Sequence, residues 1–149
     1  MQDINMLGVV MRMLHITGAI VAAGGSIFAL FALLPAASTL SKEDRTRLDE
    51  NIRRRFGKLF MVAIGALVVS GLYNYIVNEM PAHSGQAIYH ALMGVKIILA
   101  LIVFVLGSAL MGRAKVFEGI RARRKRWLGR NVSLVLVIVA IAAVLHAIP

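Results

Sequence analysis

The sequence contains no cysteine among its 149 residues. This absence excludes disulfide bonds, thiolate metal sites and iron–sulfur clusters, and it leaves the redox compartment of the protein open. Acidic residues are also scarce: there are 7 Asp and Glu against 17 Lys and Arg, and no acid lies inside a long apolar run. Residues 1–5 carry an Asp and no basic cluster, so we expect no cleavable signal peptide. What remains is a series of apolar runs joined by polar, mainly basic segments.

The apolar runs are long enough to cross a membrane. Hydrophobic residues make up 59% of the chain, and its mean hydropathy of +0.79 is far above that of a soluble domain. A spanning helix needs about 20 apolar residues and satisfies its own backbone hydrogen bonds. We therefore predict a single domain, residues 1–149, that is all-α and forms an integral membrane four-helix bundle. The predicted spans are residues 6–34, 60–77, 88–111 and 132–147, the last extended by residues 127–131.

The basic residues predict how the bundle lies in the membrane. All Lys and Arg except Arg12 and Lys96 fall within residues 42–58 and 113–130, which join the first span to the second and the third to the fourth. The termini and the predicted loop at 78–87 carry none. The basic loops are therefore expected in the cytoplasm, with both termini on the outer, periplasmic side of a bacterial inner membrane. The net charge of +10 then reflects topology and contact with the lipid bilayer, not nucleic-acid binding.

Arg12 and Lys96 stand inside apolar runs, where a charge is costly and marks a candidate functional site. At about 1.5 Å per residue, His15 and Lys96 each lie about 12 Å from the outer end of their spans. Arg12 is one turn further out, and His90 and Asn74 belong to the same outer half. With no acid in any predicted span, Lys96 must meet water, a carbonyl, a cofactor carboxylate or a bound anion.

Two cofactors suit this group of residues. Haem b takes neutral imidazole as an axial ligand, so His15 is the candidate ligand, with Arg12 and Lys96 to neutralise the propionates. Cu(I) is the alternative, because it favours thioether and imidazole ligands and most methionines lie on the outer side. The second axial ligand of a haem would come from His90, His146 or Met93. Copper would be bound by His15 with Met11, Met93 and His90, and His146 is a further candidate metal ligand.

Structural explanations compete with these assignments. A histidine in a bundle often only hydrogen-bonds a neighbouring helix, Arg12 is close enough to the edge to reach water, and methionine commonly fills cores. Small residues in the first span, such as Gly18 and Ala22, serve helix packing as well as close approach of a flat cofactor. Lys96 is the residue that packing explains least.

Short motifs resemble the copper resistance protein D (CopD-like) domain from about His15 to the end of the chain. That resemblance implies an integral inner-membrane protein linked to copper uptake or tolerance. The matching residues are 14–19, 24–25 and 33–35 in the first helix, 54–56 and 70–74 in the second, and Tyr89, Lys96 and 106–107 in the third.

A more distant similarity is to HemJ-type protoporphyrinogen oxidases, small membrane proteins that bind haem b. His15 and Lys96 match that family's essential His in the first helix and Lys in the third. Gly94 stands where its pattern has a second His, and Ala22 or Ala23 where it has a Trp, so we do not assign protoporphyrinogen oxidation.

Three functions remain open at this point. The leading one is a b-type haem protein with a redox or electron-transfer role. Such a role implies a redox partner protein or a quinone. Whether the protein is itself a membrane oxidoreductase stays open. The alternatives are copper binding or transport, and a non-catalytic membrane subunit or assembly factor. Small-residue faces would permit a homodimer.

Overall fold

The computed structural model describes residues 5–112 and 114–148; residues 1–4, Arg113 of the second basic segment, and Pro149 lie outside the described residues. Four of its helices are long and apolar enough to cross a membrane. The prediction of an all-α chain with four spanning helices is confirmed, whereas the sidedness of the loops stays a prediction. The helices are α1 (Met6–Ala37), α2 (Lys42–Ala82), α3 (Ala87–Met111), the short α4 (Glu118–Ala122) and α5 (Arg124–Ala147).

Helix α2 extends beyond its apolar run at both ends and reaches 41 residues. At its start, Ser41 Oγ accepts a hydrogen bond from the Asp44 amide at 3.1 Å, which satisfies one of the unpaired amides of the first turn. At its end the helix continues past residue 77 to Ala82. The predicted loop at 78–87 is therefore wrong in its first half, and Glu79 lies on a helix.

Two π-helical segments allow the long helices to pass their prolines. Proline has no amide hydrogen and cannot sit in a regular helix interior without breaking a bond. In α2 the backbone widens to a π-helix over Asn74–Glu79, and Pro81 then enters at the start of a new α-turn, Met80–Ala82. In α1 a π-helix over Ala29–Leu33 precedes Pro35 in the same way. Such segments are common at functional sites, and the one in α2 adjoins the predicted site.

The bundle is built from two helix pairs. Helix α1 packs mainly against α2 and α3 mainly against α5, and further contacts between α1 and α5 and between α2 and α3 close the bundle. Glycines permit the closest approaches: a Cβ at Gly25 would overlap the Phe56 ring, and one at Gly107 would overlap the Phe60 ring. Phe60 is only 2% exposed, so its ring is confined from all sides.

The two basic segments meet at one end of the bundle. Arg124 Nη1 and Asp49 Oδ1 form an ion pair at 2.6 Å across the two segments. Further along α5, Asn131 Nδ2 donates to Ser26 Oγ at 3.5 Å and joins α5 to α1. We call this end the basic end, and the opposite end, towards which His15 and the other histidines lie, the histidine end.

Candidate functional site

Helix α1 presents His15 to helix α2. Its Nδ1 lies 3.1 Å from Ser70 Oγ. The Ser70 hydroxyl donates its one hydrogen to the Ala66 carbonyl at 2.5 Å, so the Ser70 oxygen accepts and His15 Nδ1 donates. In the neutral imidazole this arrangement puts the hydrogen on Nδ1 and the lone pair on Nε2. The Leu67 backbone also hydrogen-bonds the ring. The Ser70 bond leaves the lone pair of Nε2 as the one that can bind a ligand.

Close contact between α1 and α2 holds the imidazole in place. A Cβ at Gly71 would lie 3.1 Å from His15 Cε1 and 3.4 Å from Nδ1, so only glycine leaves the ring its present room. One turn further along α1, a Cβ at Gly18 would lie 2.9 Å from Leu67 Cγ. Ala22 also packs against Leu67 in the core. This face of the small-residue stripe is therefore filled by α2.

Lys96 of α3 lies within electrostatic reach of both His15 and Glu79. Its side chain is half-buried and makes no hydrogen bond or ion pair within the described residues. The sequence predicted no acid near this lysine. Glu79 corrects that expectation, because the π-helical extension of α2 carries its carboxylate into the same region. The Tyr89 hydroxyl donates to Glu79 Oε2 at 2.6 Å and orients that carboxylate.

The two ring nitrogens of His90 are both already bonded. Nε2 lies 3.1 Å from the His83 carbonyl and Nδ1 lies 3.0 Å from the Tyr75 hydroxyl. A carbonyl can only accept, so Nε2 donates and Nδ1 accepts from Tyr75. The His83 ring in turn stacks on Tyr89 with centroids 3.6 Å apart, and its Nδ1 donates to the Glu79 carbonyl at 3.0 Å. These hydrogen bonds connect α2 and α3 and occupy both ring nitrogens of His90. His90 would therefore have to break one of its hydrogen bonds to bind a metal.

The other predicted residues make no hydrogen bond to His15 or Lys96 within the described residues. Arg12 and His146 are exposed, and Met11 is half-buried. Met93 is 8% exposed and packs in an apolar cluster, while the Asn74 amide oxygen accepts a bond from the asparagine one turn on. No hydrogen bond joins any of these five to His15 or Lys96 within residues 5–112 and 114–148.

Haem needs fewer protein ligands than a bare metal ion does. The described residues hold no group of three or more His, Cys, Asp or Glu that could bind a metal. Haem brings four ring nitrogens of its own, so the protein need supply only one or two axial ligands. His15, with its hydrogen fixed on Nδ1, can supply one through Nε2. Lys96 adds a cation that makes no direct ion pair within the described residues and could meet a propionate.

Two residues of the site were not predicted. Ser70 lies 7 residues before residue 77, the predicted end of its span, which is about 10 Å deep and close to the depth of His15. The matching depth of Ser70 and His15 could have indicated their contact. No such signal existed for Glu79, because Pro81 two residues later indicated a loop.

Searches against protein-family models, curated proteins and solved structures found no match to this chain. The similarities to the CopD-like domain and to HemJ-type oxidases therefore stay predictions from short motifs.

Proposed function

We propose that this chain is an integral membrane protein that binds b-type haem and serves a redox or electron-transfer function. The observation that carries the proposal is the His15 Nδ1 to Ser70 Oγ hydrogen bond of 3.1 Å. With Nδ1 held by a second residue, the imidazole can offer the lone pair of Nε2 to a metal. Bound haem would supply one-electron exchange at its iron.

Each residue then has a defined part in holding the group. His15 would supply a ligand to the haem through Nε2, and Ser70 would act as a positioning residue that holds the plane and tautomer of the ring. Lys96 offers its ammonium to a propionate, which would relieve an otherwise unpaired charge at bilayer depth. Glu79, whose carboxylate accepts a hydrogen bond from Tyr89, lies within electrostatic reach of Lys96. His90 is engaged on both nitrogens, so it would have to break a hydrogen bond to supply a second ligand.

The test is the absorption spectrum of the detergent-purified chain, oxidised and reduced, before and after titration with haem. We expect a Soret band that saturates at one haem per chain. Ser70→Ala removes the partner of Nδ1 and should weaken haem binding about 10- to 100-fold, as loss of such partners does in other metal sites.

Ser133→Ala is the matched control, because the Ser133 hydroxyl bonds only its own helix, to the Gly129 carbonyl at 3.1 Å. It should leave the haem titration unchanged. A chain that shows no Soret band even after titration would refute the proposal, and copper in the same preparation by metal analysis would favour the copper-binding alternative.

A further inference from the structure

A groove at the basic end is lined by three cationic side chains and no acid among its described lining residues. It lies between α2 and α3 and has a volume of about 570 Å³, within the range of about 300–1,000 Å³ typical of small-ligand sites. Arg53, Arg54 and Lys58 supply the cations. The Asp49 carboxylate, one turn before Arg53, forms an ion pair with Arg124.

The apolar part of the groove continues into the membrane-spanning region. Arg54, Lys58 and Met61 recur at spacings of four and three, so they follow one face of α2 from the polar segment into the apolar run. Met111 adds apolar surface from α3, and Ser108 Oγ contacts Met61 Sδ at 3.7 Å across the two helices. An acyl chain beneath a charged head group would pack against this apolar surface, whereas a free inorganic anion would gain nothing from it.

Glycine at position 57 keeps the groove open. A Cβ placed on Gly57 would meet no atom within 4 Å, although the residue lies among the lining cations. Larger side chains therefore fit the helix at this position and would occupy the space of the groove. This gives a way to block the groove without changing its charge.

We propose that this groove binds one anionic phospholipid, with its phosphodiester against Arg54 and Lys58 and an acyl chain along Met61 and Met111. The site is independent of the haem proposal, since it lies at the other end of the bundle. A juxtamembrane cation near a membrane surface contributes about 1 kcal/mol to binding an anionic lipid, which is about 5-fold in affinity. Removal of both Arg54 and Lys58 charges should therefore weaken binding about 30-fold.

The test is native mass spectrometry of the full chain in detergent, titrated with phosphatidylglycerol, with phosphatidylcholine, and with inorganic phosphate. We expect one tightly bound phosphatidylglycerol, which Arg54→Gln with Lys58→Gln weakens and Gly57→Leu abolishes. The matched controls are Gly65→Leu, where a Cβ also meets nothing within 4 Å, and Lys125→Gln with Arg126→Gln, two exposed cations outside the groove. Both controls should keep wild-type binding.

Three results would overturn the proposal. Equal weakening by the Lys125 and Arg126 substitutions would mean that only general surface charge attracts the lipid. Inorganic phosphate that displaces phosphatidylglycerol at similar concentration would identify a plain phosphate site. Unchanged binding in Gly57→Leu, with wild-type helicity by circular dichroism, would place the lipid elsewhere.

Discussion

At the residue scale, one serine hydroxyl decides what His15 can do. Because the Ser70 hydroxyl donates its hydrogen to the Ala66 carbonyl, it can only accept a hydrogen bond from the imidazole. His15 Nδ1 is therefore the donor, and Nε2 is the nitrogen that can bind a ligand. The sequence places His15 inside an apolar run, and it predicts that His15 and Lys96 lie at the same depth. The tautomer was not predictable from the sequence, because it depends on a hydrogen bond across 55 residues of sequence.

Lys96 gives the first prediction at this scale. An ammonium at bilayer depth without a direct partner costs about 2–4 kcal/mol on insertion scales, so we expect Lys96→Met to stabilise the haem-free chain by about 1–3 kcal/mol. The same variant should bind haem about 5- to 10-fold more weakly, because a propionate loses its cation. Unfolding in detergent followed by circular dichroism, together with a haem titration, measures both.

Lys125→Met is the control, since Lys125 is exposed in the basic segment and should change neither quantity. A Lys96→Met chain that unfolds more easily than wild type would contradict this account, because it would show that Lys96 stabilises the bundle itself.

At the element scale, close helix packing and proline-adjacent π segments shape the bundle. The apolar runs predicted four helices and placed the end of α2 at residue 77, short of its end at Ala82. The polar segment 41–55, with Ser41 as its N-cap candidate, also predicts a short helix leading into the second span, and the structure confirms it as the start of α2. Pro81 indicated a break, yet the π-helical turn before it lets the helix continue to Ala82. The carboxylate of Glu79 reaches the site only through this extension, so a local signal could not reveal it.

Gly107 tests the packing of α3 on α2. A Cβ there would overlap the Phe60 ring, which is buried and cannot swing away, so Gly107→Ala should destabilise the bundle by about 1–3 kcal/mol. Gly94→Ala on the same helix meets nothing within 4 Å and should be neutral or stabilising by up to about 1 kcal/mol. Thermal unfolding of both variants in detergent gives the comparison. If both substitutions change the unfolding temperature equally, the backbone freedom of glycine, and not the Phe60 contact, determines the effect of Gly107→Ala on the stability of the bundle.

At the scale of the whole molecule, charge divides the bundle into two unlike ends. The Arg124–Asp49 ion pair joins the two basic segments, as expected if both lie on one side of the membrane. The segregation of basic loops from histidines was readable from the sequence, because it depends only on loop positions and helix count. The pairing of individual side chains at either end was not, because the rotation of each helix about its axis depends on packing.

The absence of cysteine makes this topology directly testable. Ser84 and Lys125 are exposed at opposite ends of the bundle, and each can carry a single cysteine. We expect Ser84→Cys to react with a membrane-impermeant maleimide in intact cells, and Lys125→Cys to react only after the membrane is opened. The reverse pattern would show that the basic loops face outward.

The most direct test of the account is the absorption spectrum of His15→Gly, oxidised and reduced, with and without added imidazole. If His15 Nε2 is an axial ligand, the variant loses the haem bands of the wild type, and imidazole entering the vacated space restores them. The His146→Gly control changes an exposed histidine and should keep the bands throughout. Unaltered haem bands in His15→Gly without imidazole would contradict the assignment of His15 as the ligand.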